Sequence, residues 1–185
     1  MAQSVGMADP AAGLRLRALE PGDEPLLYRW ENDPVTWRVS GTLLPCSHGV
    51  LSRLIEEQQY DIFATRQTRL IIEAAGAGAV GSADIFELDP ANRRAGIGLM
   101  IHEHEQRGRG YARGAVQLLE ALCFDTLGLH QIWCSIGRSN ERCLKLFDGM
   151  GYERTGVRRH WLRTPQGWED EIMFQKLAIN SAGGR

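Results

Sequence analysis

The sequence has few lysines and no excess of positive charge. Lysine supplies two of its 21 basic residues, Lys145 and Lys176, and 23 acidic residues bring the formal net charge to −2. A protein that holds nucleic acid or an anionic membrane surface through charge needs a basic field, which this balance does not supply. We therefore expect neither nucleic acid nor membrane among its partners.

Long apolar runs and paired cysteines are also missing. No stretch approaches the ~20 apolar residues of a membrane span, and the N-terminus lacks the basic and then apolar pattern of a secretory signal. Four cysteines are scattered without a Cys-x-x-Cys pair: Cys46, Cys123, Cys134 and Cys143. This spacing predicts no metal site and a reduced, cytoplasmic protein.

Length and composition predict a single globular domain. The chain has 185 residues, of which 43% are hydrophobic and 24% charged, as in ordinary globular proteins. Small and polar residues at both ends predict disordered tails over residues 1–13 and 179–185. The domain between them is expected to span residues 14–178.

Hydrophobic periodicity predicts alternating strands and helices in that domain. Residues 14–19 alternate with period two, as in a strand, and residues 112–122 repeat with the period of a helix. Further strand patterns lie at 68–74, 80–88, 94–102, 130–136, 152–163 and 168–177, and further helix patterns at 23–33, 50–55 and 140–150. This order predicts an α/β fold, with one mixed sheet and helices on both faces.

A glycine-rich loop joins the predicted strand at 94–102 to the predicted helix at 112–122. Gly108 and Gly110 allow successive backbone N–H groups to converge on an anion, and the following helix directs its positive end to the same point. Arg107, Arg109 and Arg113 add positive charge. No Gly-Lys-Ser/Thr follows and the third glycine of a dinucleotide fingerprint is absent. The loop therefore predicts a pyrophosphate site without a metal ligand.

The same loop carries a family resemblance. Residues 107–112 match the Arg/Gln-x-x-Gly-x-Gly/Ala signature of the GNAT N-acetyltransferase superfamily, and the strand at 95–101 and the helix that begins at Asn140 resemble neighbouring motifs of that family. The opening segments 16–23 and 30–34 resemble one subgroup, which holds ribosomal-protein N-terminal acetyltransferases, spermidine acetyltransferases and relatives that act on aminosugars. The resemblance covers roughly residues 14–178.

The resemblance implies a fold and an activity. The implied fold is a mixed sheet of about seven strands with a V-shaped opening, between the strands at 94–102 and 130–136, that takes the pantetheine arm of acetyl-CoA. The implied activity is direct transfer of the acetyl group to a primary amine of a small molecule or a protein N-terminus. A homodimer formed through the terminal strands is compatible with the habit of the family.

The resemblance also implies which residues hold the coenzyme. The loop is expected to bind the pyrophosphate, the strand end at 101–103 to pair with the pantetheine through its backbone, and Asn140 to reach the pantetheine from the other side of the opening. Cys143 stands where the family often has Ser or Ala. The implied set is Ile101, His102, Glu103, Arg107, Gly108, Arg109, Gly110, Tyr111, Ala112, Arg113, Asn140 and Cys143.

Acetyl transfer needs a neutral amine, so a base must remove a proton from an alkylammonium group, whose pKa is near ~10.4. Glu103 is the first candidate for this base, and a solvated strand-end carboxylate is its other interpretation. His102, His104, Glu87 and Asp89 remain alternatives. Aromatic and acidic side chains that suit a cationic acceptor are Trp30, Glu31, Trp37, Glu87 and Trp161.

One residue departs from the family pattern. Phe147 stands where many members carry a Tyr that protonates the departing thiolate, and a phenyl ring has no proton to give. Water or another group has to serve, or the thiolate leaves unassisted. The alternative to an active enzyme is therefore a catalytically weakened, CoA-binding regulatory protein.

Overall fold

The computed structural model describes residues 7–9, 13–40 and 44–178. Over these residues the chain forms eight strands and six α-helices. They are β1 (Met7–Asp9), β2 (Leu14–Ala18), α1 (Glu24–Glu31), α2 (Pro34–Ser40), α3 (His48–Glu57), α4 (Ile62–Thr65), β3 (Thr68–Ala74), β4 (Gly78–Asp89), β5 (Arg94–Ile101), α5 (Tyr111–Ala121), β6 (Gln131–Gly137), α6 (Glu141–Asp148), β7 (Glu153–Thr164) and β8 (Gly167–Leu177). No helix within the described ranges is long and apolar enough to cross a bilayer.

The strands form one mixed sheet in the order β1-β2-β3-β4-β5-β6-β8-β7. Strands β5 and β6 are parallel, whereas β6 and β8, and β7 and β8, are antiparallel. The expected α/β class and mixed sheet are confirmed.

The sheet has one strand more than expected. Strand β1 lies inside the segment 1–13 that was predicted to be a disordered tail, and it pairs with β2 through Met7 opposite Leu16 and Asp9 opposite Leu14. A short segment without an apolar pattern gains order here because its backbone completes the hydrogen bonds of the neighbouring strand. The rest of that predicted tail, at 1–6 and 10–12, and the predicted tail at 179–185 lie outside the described residues.

The chain divides into two compact units. The first comprises Met1–Asp84 and Leu99–Leu118, and the second comprises Ile85–Gly98 and Leu119–Arg185. The first unit has an apolar core to which α1, α3 and β3 contribute. Its buried members are Leu19, Leu27, Trp30, Leu51, Ile55 and Ile71.

Local sequence explains where the helices of the first unit begin. The hydroxyl of Ser47 accepts a hydrogen bond from the N–H of Val50 and caps α3. Helix α2 was not predicted, because Pro34 had been interpreted as the residue that ends α1. Proline is also well suited to the first turn of a helix, where its missing N–H has no partner to lose, and here it starts α2.

In the second unit, the pairing of β5 with β6 is short. It joins Arg94–Gly96 to Gln131–Trp133, and both strands continue beyond these residues. Glycine is needed at position 96, since a Cβ there would lie 2.3 Å from the ring of Phe86. The V-shaped opening that the family resemblance implies between these strands stays a prediction.

Candidate active site

The glycine-rich loop after β5 leaves open space at the start of α5. Gly108 and Gly110 have φ values of +79° and +85°, which side chains of L-residues rarely adopt, and a Cβ at either position would meet nothing within 4 Å. Helix α5 begins directly afterwards at Tyr111, and the N–H of Gly114 donates to the carbonyl of Gly110 at 3.2 Å. The loop therefore presents unobstructed backbone at a helix N-terminus, which suits an anion.

Three arginines surround this loop in sequence, and the structure fixes two of them through Nε. Arg107 Nε donates to the carbonyl of Ile101 at 2.9 Å, and Arg109 Nε donates to the carbonyl of Glu105 at 3.2 Å. The third, Arg113, lies exposed in the first turn of α5, and Ala112 precedes it, half-buried. Two guanidinium groups are thus tied to the backbone that leads into the loop.

Two backbone N–H groups that follow β5 are already bonded within the protein. The N–H groups of His102 and Glu103 both donate to the carbonyl of Val80, at 3.0 and 3.3 Å. They cannot pair with a pantetheine arm without breaking these bonds. The carbonyl of Ile101 accepts from Arg107 Nε at 2.9 Å. Backbone pairing of the coenzyme with Ile101, His102 and Glu103 stays a prediction.

The carboxylate of Glu103 has two partners on α1. Arg29 Nη2 forms an ion pair with Glu103 Oε1, and the indole Nε1 of Trp30 donates to the same oxygen at 3.0 Å. Within the described part of the chain, no partner contacts Oε2. One oxygen is therefore held while the other is available to a ligand.

The imidazole of His102 is buried and stacked on Trp30. The two ring centroids lie 4.4 Å apart with an interplanar angle of 4°. Ser82 Oγ lies 3.0 Å from Nε2, and Thr36 Oγ1 lies 3.4 Å from Nδ1. Burial, with a further contribution from Arg69 and then Arg107, lowers the pKa of His102 to about 4. A neutral, bonded ring of this kind is a poor proton acceptor at neutral pH, which argues against His102 as the base.

A pocket of about 510 Å³ opens beside these groups in the first unit. Asp33 and His104 approach each other at its wall, with His104 Nε2 at 3.7 Å from Asp33 Oδ2. The lining is rich in charged and aromatic side chains and consists of Arg29, Trp30, Asp33, Ala77, Ala79, His102, Glu103, His104, Glu105 and Gln106. The pocket brings together three residues that were predicted for the site: Trp30, His102 and Glu103.

Two other predicted acceptor-binding residues of this unit are engaged elsewhere. Glu31 pairs with Arg69 at 2.5 Å, and Arg69 also holds Asp84 at 2.6 Å. The indole N–H of Trp37 donates to the backbone carbonyl of Glu31 at 2.6 Å. The pocket lining includes neither Glu31 nor Trp37. Glu31 and Trp37 stay predictions for acceptor binding.

The remaining predicted site residues belong to the second unit. Glu87 is exposed and has φ +48° within β4, and Asp89 accepts hydrogen bonds from Asn92. Trp161 is 56% exposed, with the guanidinium of Arg158 5.1 Å above its ring. These side chains stay predictions for acceptor binding.

Asn140 caps the helix that the resemblance assigned to the pantetheine. Its side-chain oxygen accepts from the N–H of Cys143 at 3.2 Å, so Asn140 is the N-cap of α6. Burial raises the pKa of the Cys143 thiol to about 11. Burial likewise raises the pKa of Cys46, Cys123 and Cys134. All four thiols are therefore protonated at neutral pH and are weak nucleophiles.

Sequence reasoning missed the residues that support Glu103. Arg29 precedes Trp30 in α1, but nothing in its local pattern relates it to a glutamate 74 positions later. Ser82 and Thr36 carry no motif either, and the side chain of His102 was considered only as a base. These contacts join distant parts of the chain, and periodicity reports only on local structure.

Comparison with solved structures supports the fold. The crystal structure of spermidine N-acetyltransferase from Vibrio cholerae in complex with CoA and spermine superposes with a TM-score of 0.81 at 22% identity, and covers 89% of this chain and 95% of that one. A dodecameric structure of the Vibrio cholerae enzyme in an intermediate state superposes with a TM-score of 0.75 at 22% identity, over 89% of this chain and 94% of that one.

Sequence relatives and a family model give the same assignment. The ribosomal protein bS18-alanine N-acetyltransferase of Salmonella typhimurium is 24% identical over 76% of this chain and 88% of its own length. The spermidine N(1)-acetyltransferase of Vibrio cholerae is 24% identical over 77% of this chain and 80% of its own length. The model of the acetyltransferase (GNAT) domain matches residues 13–153. The chain therefore belongs to the GNAT acetyltransferase family, whose members are acetyl-CoA-dependent N-acetyltransferases.

Proposed function

We propose that this protein transfers the acetyl group of acetyl-CoA directly to a primary amine of a small molecule or of a protein N-terminus. The observation that carries the proposal is the chain segment 101–113. It leads from a strand end with a pocket-lining carboxylate, Glu103, into the glycine-opened N-terminus of α5. An acetyltransferase needs these two features, a base for the amine and an anion site for the coenzyme, near each other.

The loop would hold the pyrophosphate of the coenzyme. The open space at Gly108 and Gly110 gives an anion access to the backbone, and the positive end of α5 supplies the charge complement. Arg107, Arg109 and Arg113 add positive charge. Ile101 and Asn140 are the residues that we assign to the pantetheine.

Glu103 is assigned the role of general base. Glu103 Oε2 takes a proton from the ammonium group of the acceptor, and the neutral nitrogen then attacks the thioester carbon. The new C–N bond forms and the C–S bond breaks as the coenzyme A thiolate leaves. The nitrogen loses its second proton to solvent, and solvent protonates the thiolate. Because general-base catalysis typically contributes ~10²–10⁴-fold to a rate, loss of this carboxylate should be visible near neutral pH.

Direct transfer is favoured over an acetyl-cysteine intermediate. A covalent route would need a thiolate, and burial holds all four cysteines in the thiol form, with pKa values of about 11 at Cys143 and about 12 at Cys123. No such requirement exists when the amine attacks the thioester itself.

Charge in the pocket favours a cationic acceptor. The carboxylates of Asp33, Glu103 and Glu105 face a single guanidinium group, that of Arg29, in the lining. Relatives named for a ribosomal-protein alanine and for spermidine both act on amines. We propose a small amine or a peptide N-terminus as the acceptor.

Two measurements test this function. Acetyl-CoA or CoA, but neither NAD nor ATP, should raise the melting temperature, with a gain of about 2.7 kcal/mol at a hundredfold excess over Kd. Thiol release from acetyl-CoA should then depend on one member of a panel of spermidine, glucosamine, kanamycin and a peptide with N-terminal alanine. Stabilisation by ATP alone would overturn the proposal.

A second candidate function is a CoA-binding regulatory protein without turnover. Phe147 supports it, since its ring is buried edge-on against Tyr152, with centroids 4.8 Å apart, and carries no acidic proton. Stabilisation by CoA without thiol release for any amine of the panel would select this candidate.

We further propose that the protein is cytoplasmic and self-associates. Its four free cysteines support a reducing compartment, and the Vibrio cholerae relative that was solved as a dodecamer supports oligomer formation. Light scattering after size-exclusion chromatography tests the second proposal, and a monomer at micromolar concentration would contradict it.

A further inference from the structure

We propose that Trp30 and His102 are positioning residues that orient Glu103 for proton transfer. The inference rests on the proposed function, because it assigns them a role in presenting the base. Neither residue would exchange a proton with the substrate. Their effect would be to fix one carboxylate oxygen so that the other points to the amine.

The anchor of Glu103 is the indole of Trp30. Trp30 is 3% exposed and belongs to the apolar core of the first unit, so its ring has little freedom to move. Its Nε1 donates to Glu103 Oε1 at 3.0 Å. A hydrogen bond from a rigid donor to a charged acceptor is both directional and strong.

The other partner of Glu103 is a poor anchor. Arg29 binds the same oxygen, but its side chain is 64% exposed, and its guanidinium lies at the end of a long, flexible aliphatic chain. Ion pairs of this exposure contribute little and tolerate many geometries. The orientation of the carboxylate therefore depends on Trp30 more than on Arg29.

His102 in turn holds the indole plane. The imidazole lies parallel to the Trp30 ring at 4.4 Å. Both imidazole nitrogens have hydroxyl neighbours, Ser82 on β4 and Thr36 on α2. The ring is thus tied to two elements besides its own strand end, and it closes one side of the space in which the indole could tilt.

The two carboxylate oxygens of Glu103 therefore have different roles, since one is bonded to the protein and the other is left to accept the proton. Trp30 and Arg29 occupy Oε1, and within the described residues Oε2 has no partner. A base that is held in one orientation keeps its accepting lone pair near the attacking nitrogen, which is the geometric requirement of general-base catalysis. Without the hydrogen bond from Trp30, the Glu103 side chain would populate several rotamers.

A double-mutant cycle tests whether Trp30 acts through Glu103. Trp30→Phe keeps a ring against His102 and removes the N–H donor. With the panel amine that is turned over fastest, we expect about a tenfold fall in kcat and little change in KM, the loss typical of a hydrogen bond to a charged group. In a Glu103→Gln background the same substitution should change kcat by less than about twofold. An equal fall in both backgrounds would show a merely structural effect and overturn the proposal.

A spectroscopic measurement on the same variants needs no acceptor. Trp30→Phe identifies the indole ¹H–¹⁵N resonance of Trp30. In the wild-type protein the chemical shift of this resonance should change when the pH of the sample is varied, and Glu103→Gln should remove most of that change. The pocket has other ionisable groups that could affect the indole resonance, namely Arg29, Asp33, His104 and Glu105, and His102 stacks on the indole itself. The difference in chemical-shift change between the wild-type protein and Glu103→Gln therefore isolates the contribution of Glu103.

The two readouts separate the inference from the function on which it rests. If no amine is acetylated but Glu103→Gln removes the pH-dependent change of the indole resonance, the contact exists and the proposed function fails. If acetylation occurs and the pH-dependent change is the same in Glu103→Gln as in the wild-type protein, the function stands and the positioning role is refuted.

Discussion

Acidification should destabilise the folded protein through His102. Burial first, and then the nearby Arg69, lower the pKa of this imidazole from 6.5 to about 4. The unfolded chain therefore binds a proton more readily than the folded one, and stability falls as pH decreases from about 6.5 towards about 4. Integration of this linkage between pH 7 and pH 5 gives a loss of about 2 kcal/mol.

The window from pH 7 to pH 5 separates His102 from the carboxylates. Despite the opposing effect of burial, hydrogen bonds from Arg17 lower the pKa of Asp23 below 3.8 and that of Glu73 below 4.5. Stabilisation from such groups is present above their ordinary pKa values and is lost only at lower pH. The loss above pH 5 should therefore come mainly from the buried imidazole.

Urea unfolding at pH 7 and pH 5 measures the effect. His102→Gln removes the titrating group, so this variant should lose less free energy of unfolding between the two pH values than the wild-type protein, whatever its absolute stability. His130→Gln, at an exposed position, is the matched control and should keep the wild-type difference. Equal stabilities of the wild-type protein at pH 7 and pH 5, or an undiminished loss in His102→Gln, would refute the reasoning.

Three further predictions concern the site. In a thermal-shift assay, Gly110→Asp should abolish stabilisation by CoA, because the new carboxylate would enter the anion site. Gly151→Asp is the matched control, since Gly151 has φ +77° where Gly110 has φ +85°, and it should keep the stabilisation by CoA. Arg29→Ala should lower the KM for a cationic amine by up to about fivefold, because the guanidinium that pairs with Glu103 Oε1 no longer repels the amine at Oε2, an exposed-charge effect of up to ~1 kcal/mol. Arg53→Ala should leave that KM unchanged in the same initial-rate assay. Phe147→Tyr should keep CoA binding and should raise turnover or leave it unchanged. It should also lower the free energy of unfolding by about 1–3 kcal/mol, because the added hydroxyl enters a buried site where Phe147 is 2% exposed. An unchanged free energy of unfolding in urea would show that the hydroxyl finds a hydrogen-bond partner.

The fold followed largely from local patterns. The period-two strands, the glycine-rich loop and the helix start at Asn140 are features of short segments, and such segments carry their own signal. Helix α2 was missed because Pro34 both ends one helix and begins the next. Strand β1 was missed because its order comes from pairing with β2 rather than from its own residues.

The site was only partly accessible to the same reasoning. Glu103 was predicted as the base because it lies between a strand and a recognisable loop. The contacts that orient it are not local, since Trp30 lies 73 positions away and Ser82 contacts His102 across 20 positions. The side chain of His102 is the clearest case, because its burial, stacking and lowered pKa all arise from packing.

We propose that this chain moves an acetyl group from acetyl-CoA to an amine. The most direct measurement follows free coenzyme A and acetylated amine together, with each panel amine, for the wild-type protein and Glu103→Gln at pH 7. We expect one amine to give thiol and acetylated product in equal amounts, and Glu103→Gln to lower this rate by at least about 100-fold. Thiol release that no amine stimulates, or a Glu103→Gln variant with the wild-type rate, would contradict it.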